Sequence, residues 1–153
     1  LTDTSDSNKA TKTATVSSVL GLGIGGVNTK RVTVSSAEIL ALHTTPIELI
    51  PAPGANKIIQ LLSPPIAYID FNSINYIKGP TLLVMFAGAS GIIYNWDQDI
   101  LSAGADEAEY ATLPRTGAVT AYVNTAMNLS ISVAASTGNS PMTFYLTYKT
   151  LDI

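Results

Sequence analysis

The chain holds one histidine, His43, and no cysteine. A Ser-His-Asp relay would have to run through His43, because no second imidazole exists to take a serine proton. No Gly-x-Ser-x-Gly stretch presents a nucleophile, and His43 closes an apolar stretch just before Thr44-Thr45-Pro46. It reads as a structural residue. A zinc site wants several nitrogen or sulfur ligands, which this composition cannot supply. Carboxylates are more plentiful. Asp97, Asp99, Asp106, Glu107 and Glu109 cluster, and Asp97-x-Asp99 has the form of the start of a calcium loop. The glycine and the distal bidentate glutamate of that loop are missing, so a solvated acidic loop is expected. A glycosidase pair would also need a cleft and a separation of roughly 5–9 Å, and nothing in the sequence supports one.

Gly21, Gly23 and Gly26 match G-x-G-x-x-G. That motif cradles a pyrophosphate only when a strand precedes it and a helix opens at it. Here the β-rich VNTKRVTVSS follows, and Glu38 comes too early to reach a ribose. Eight aromatic residues, Tyr68, Tyr76, Tyr94, Trp96, Tyr110, Tyr122, Tyr145 and Tyr148, could stack on sugar rings or fill subunit contacts. Tyr122 and Tyr145 are the preferred candidates, because alternation sets them opposite an apolar stripe. Asn128-Leu129-Ser130 is a formal glycosylation sequon inside an expected strand. The sequence assigns no catalytic, cofactor-binding or metal-binding residue.

Composition directs attention to assembly instead. Of 153 residues, 46% are hydrophobic and 12% charged, against about 25% charged in an ordinary domain. Mean hydropathy is +0.30. With 8 basic and 11 acidic residues there is no basic excess for phosphate contacts, so nucleic acid is not an expected partner. No run of about 18 apolar residues would cross a membrane, and the first residues show no signal-peptide pattern. The 32 Ser and Thr residues carry much of the polarity. Sparse charge is what a surface buried against other subunits would show.

The elements that must carry these residues are strands. Residues 1 to about 15 form a polar stretch, and 16–29 (VSSVLGLGIGGVNT) an apolar but glycine-rich one. Together, residues 1–29 read as an extended arm that lies on a partner through Val16, Val19, Leu20, Leu22, Ile24 and Val27. Residues 30–153 read as an antiparallel β-sandwich or jelly-roll-like domain of about eight strands. Lys30–Ser35 alternates, and Ala37–His43 is expected as a strand. Lys57–Leu62 is expected as a buried strand, ended by Pro64-Pro65. Ile66–Phe71 and Ile74–Ile77 are expected to form a hairpin about Asn72-Ser73. Ala103–Thr112 allows one or two helical turns in a loop. Val119, Ala121 and Val123 alternate with Thr120, Tyr122 and Asn124. Leu129, Ile131 and Val133 alternate with serines, and Met142, Phe144, Leu146 and Tyr148 alternate with Thr143, Tyr145, Thr147 and Lys149. Gly138-Asn139 is expected to turn a hairpin between the last two.

Leu42, Pro46, Ile47, Leu49, Ile50, Ala52, Pro53, Gly54, Ala55 and Lys57, within VSSAEILALHTTPIELIPAPGANK, form a turn-and-strand pattern. With the closing strand PMTFYLTYKTLDI, this pattern resembles small structural proteins of tailed bacteriophages over roughly residues 32–153. Asn56 stands where members of that family often carry glycine. The resemblance implies a non-enzymatic virion component: a head decoration (cement) protein, or a head or tail fibre module that binds a receptor or carbohydrate. It implies a β-sandwich or jelly roll and a homotrimer, on the capsid surface, with the major capsid protein or other virion proteins as partners. The absence of cysteine suits assembly in the reducing cytoplasm of a bacterial host.

Overall fold

The computed structural model describes residues 26–77, 83–87, 91–113 and 122–153. They form an all-β protein with two antiparallel sheets and one short helix. The first sheet runs β1 (Asn28–Val34), β9 (Met142–Asp152), β4 (Ile66–Ile69), β7 (Glu107–Tyr110), with β3 (Lys57–Leu61) also on β9. The second runs β2 (Ile47–Ile50), β8 (Met127–Ile131), β5 (Leu83–Ala87), β6 (Gly91–Trp96).

The spine of the first sheet is β9. One of its edges carries β1, in register from Val34 opposite Met142 to Asn28 opposite Tyr148. The other carries β4 opposite Met142 to Tyr145 and β3 opposite Tyr148 to Asp152. Strands β3 and β4 are thus two halves of one strand, interrupted at residues 62–65. Pro64 and Pro65 have no N–H to give to a ladder, which is why the pairing stops there.

Residues directly opposite in antiparallel strands share a face. Val34, Met142, Phe144, Leu146, Ala67 and Ile69 therefore turn inward from the first sheet, where they meet Leu49, Met85, Leu129, Ile131 and Trp96 of the second; all are buried. Trp96 and Phe144 join the sheets edge to face, with ring centroids 5.4 Å apart. Such a pair adds about 1 kcal/mol beyond the area it buries. Among the described residues no helix is long and apolar enough to cross a membrane.

Several expected elements differ. The first strand begins at Asn28 rather than Lys30. Residues 36–41 form a helix, α1 (Ser36–Ala41), not a strand. Ser35 caps it: its Oγ accepts from Glu38 N, and Glu38 Oε2 accepts from Ser35 N at 2.8 Å. This reciprocal capping box satisfies two backbone donors that a helix start leaves open. Ile39 and Leu42, three apart, both reach the core, which is the spacing of one helix face. The capping hydrogen bonds hold the Glu38 carboxyl below its ordinary value.

Lys57–Leu61 is a half-buried strand, with only Ile59 of its residues in the core. Residues 74–77 form no hairpin with β4, whose two edges are taken by β7 and β9; Ile77 makes one bridge to Ser136. The helical turn comes earlier than expected, as a 3₁₀ segment Gln98–Ser102 capped by Asp97, and Glu107–Tyr110 is a strand. Pairing with β4 overrides the helical preference of Glu-Ala-Glu. Gly138-Asn139 joins β8 to β9 across the two sheets and closes no hairpin.

Candidate functional site

Two regions rich in aromatic side chains stand out. The first is the outer face of the first sheet. Register aligns Arg31, Tyr145, Ile66 and Tyr110 in one row across β1, β9, β4 and β7. Thr33, Thr143, Tyr68 and Ala108 form the next row. Tyr110 is 65% exposed and Tyr145 41% exposed. The Arg31 guanidinium lies 5.9 Å from the centre of the Tyr145 ring, within cation–π range. Thr33 and Thr143 share a cross-strand hydroxyl hydrogen bond at 3.2 Å. Partial burial pushes the Tyr68 hydroxyl up, and its hydrogen bond to the Asp106 carboxylate adds to this. The face therefore offers ring surfaces, hydroxyls, one guanidinium and carboxylates at the β7 side. These groups can stack and hydrogen-bond; none forms a nucleophile–base pair.

The second region is the corner where residues 70–77 meet 136–141. Its backbone donors are satisfied by other loops instead of a ladder. Phe71 N donates to Asp106 Oδ1 at 2.9 Å, Asn72 N to Ser140 Oγ at 3.0 Å, and Ser73 N and Ile74 N to Asn139 Oδ1 at 3.3 and 3.0 Å. Tyr76 lies in the core and donates its hydroxyl to the Ser140 carbonyl at 2.5 Å. Burial pushes the Tyr76 phenol up to about 12. Gly138 has φ +94°, and a Cβ there would overlap the Tyr76 ring. This corner is architecture.

The sequence-derived candidates scatter. His43 is exposed on the turn after α1, with Nδ1 3.3 Å from the Ile131 carbonyl. Asp97 caps the 3₁₀ segment and its backbone N donates to Glu109 Oε1 at 2.7 Å. Burial raises the Glu109 carboxyl, helped by the charges of Asp97, Glu107 and Asp99. Among the described residues no group of three or more His, Asp or Glu is arranged to hold a metal ion. Asn128 lies in β8, between β2 and β5.

Tyr145 takes its expected outward place, but Tyr122 does not. The chain turns at Asn124 (φ +47°), whose N donates to the Lys57 carbonyl, and the alternation inverts. Tyr122 packs against the core while Val123 is 49% exposed. Tyr68 and Tyr110 join Tyr145 instead; the register of β4 and β7, which alternation alone does not supply, brings them together. Of the arm residues, Val27 is exposed, and Val16, Val19, Leu20, Leu22 and Ile24 lie outside the described residues, as does the rest of G-x-G-x-x-G before Gly26. No protein-family model matches the chain, and comparison with curated proteins and with solved structures returns no match.

Proposed function

We propose that this chain is a non-enzymatic structural protein of a bacteriophage particle, a jelly-roll subunit that trimerises and decorates the capsid. The observation that carries the reading is the strand order. Counting β3 and β4 as one interrupted strand leaves eight among the described residues, split β1-β9-β4-β7 and β2-β8-β5-β6. In chain order these are the first, eighth, third and sixth strands opposite the second, seventh, fourth and fifth. That order supports a reading as two interleaved Greek keys, the double-sheet jelly roll used by viral capsid proteins and by lectins. Fold alone does not choose between those uses. The scarcity of charge, and exposed apolar residues such as Ile74, Ile77, Tyr110 and Leu113, favour a surface that other subunits cover. In this reading residues 1–29 reach onto neighbouring subunits, and three arms on one trimer reinforce one another through effective concentration.

Light scattering on the purified chain tests the first half, with three copies expected. Binding to capsid shells lacking this protein tests the second: the full chain binds, and a chain lacking residues 1–29 keeps its trimer but loses the shell. A monomer, or a full chain that ignores the shell, overturns the reading. The tyrosine row favours one other function, a receptor- or carbohydrate-binding fibre module. Glycan binding that disappears in Tyr145→Ala, together with unchanged shell binding after removal of the arm, would establish it instead.

A further inference from the structure

We propose that copies of this chain join head to tail through the two edges of the first sheet, β1 of one copy against β7 of the next. The proposal rests on the trimer reading above and names the surface that builds it.

The argument starts from where the charges stand. Among the described residues the basic side chains are Lys30 and Arg31 on β1, Lys149 on β9 and Lys57 on β3. Lys57 is already engaged with Asp152 at 3.2 Å. Six of the nine described acids gather on the other side: Glu107 and Glu109 on β7, Asp106 just before it, Asp70 at the end of the neighbouring β4, and Asp97 and Asp99 on the segment that hydrogen-bonds to Glu109; of the rest, Glu48 lies in the second sheet, Asp152 pairs with Lys57, and Glu38 caps the helix after β1. Three strand spacings of about 4.8 Å, roughly 14 Å in all, separate β1 from β7. That exceeds the screening length at physiological salt, so the two edges present opposite signs as distinct patches. Burial is the main cause of the raised Glu109 carboxyl, and the charges of Asp97, Glu107 and Asp99 beside it add to the rise.

Sheet edges expose backbone groups ready to pair, and proteins commonly guard them with charge. Guarding requires charge of either sign; here the signs are opposed. Large exposed side chains flank both edges, Val27 beside β1 and Tyr110 with Leu113 beside β7. A two-fold contact would set β7 against β7 or β1 against β1 and bring like charges together, which is costly. Pairing β1 with β7 brings opposite charges and apolar flanks together. That contact is heterologous; a rotation of one third of a turn between copies closes it into a ring of three, the trimer, whereas any non-closing rotation would give a filament.

Charge exchange in the full chain tests this. Lys30→Glu with Arg31→Glu makes both edges acidic, and Asp70→Lys with Glu107→Lys leaves the β7 side with four acids against two lysines, removing most of its opposition to β1. Each pair of changes should weaken self-association about tenfold or more at physiological salt, read by sedimentation, with circular dichroism confirming the strands. If both half-exchanged chains associate as the parent does, the edge contact is wrong while the trimer reading stands. If the parent itself is monomeric, the trimer reading falls and takes the contact with it. Should a half-exchanged chain misfold, the parent's salt response decides: weakening with rising salt supports the contact, and indifference to salt overturns it.

Discussion

Tyr76 and Tyr110 are the same residue type put to opposite uses. Tyr76 is buried at the corner of the two long loops, its hydroxyl given to a carbonyl and its ring covered by Gly138. Tyr110 stands on an edge strand with most of its surface in water. The first ring is enclosed by its surroundings; the second is mostly exposed. The corner is therefore the place to look for stability, and the outer face the place to look for the binding proposed above. Substitutions that separate these two roles test the division.

The largest expected effect is at Gly138. Gly138→Ala must hold a left-handed φ and push its methyl into the Tyr76 ring, and should cost about 3 kcal/mol in denaturant unfolding. Tyr76→Phe keeps the ring but leaves the Ser140 carbonyl without its donor, a loss of about 2 kcal/mol. The same phenol sets a pH dependence. Its value is raised to about 12 in the folded chain, so its contribution is intact below the ordinary tyrosine value. As pH rises from about 10 towards 12, the unfolded chain releases this proton first and stability falls. Thermal melts over that range should show the fall in the parent, and a shallower one in Tyr76→Phe. Asn139→Ala removes the acceptor of two exposed amides and should cost about 1 kcal/mol by the same unfolding measurement. Tyr110→Ala should change the unfolding free energy by less than about 0.5 kcal/mol, while weakening self-association in sedimentation. A strongly destabilised Tyr110→Ala would erase the distinction between the two regions.

The long closing strand was plain in the sequence, because its alternation runs without a break from Met142 to Tyr148 and the structure keeps that register against β1. The acidic group was also visible, but as a loop. Glu107–Tyr110 has the composition of a helix and becomes a strand only because β4 offers it an edge. The helix at Ser36–Ala41 looked like a strand because its apolar residues crowd together. Ser35 and Glu38, spaced as a capping box, were the signal that separates the two. Gly138-Asn139 has the residues of a hairpin turn, but β8 and β9 belong to different sheets, so this turn crosses between them. Local pattern reports which way a side chain turns. It does not report which strand lies alongside, and the outer tyrosine row is a product of lateral register alone.

The dependence of the first sheet on β9 also bears on synthesis at the ribosome. Strands β1, β3 and β4 all pair with a segment made after every other strand; the Thr33–Thr143 link alone joins residues 110 apart. Until that segment emerges, the nascent chain holds its earlier strands without their central neighbour, so the sheet cannot zip up as it is translated. Closing so wide a gap is slow, and the exposed intermediates are vulnerable to aggregation. Completion of the first sheet therefore waits for β9, and the pairing between copies proposed above has to wait for it too.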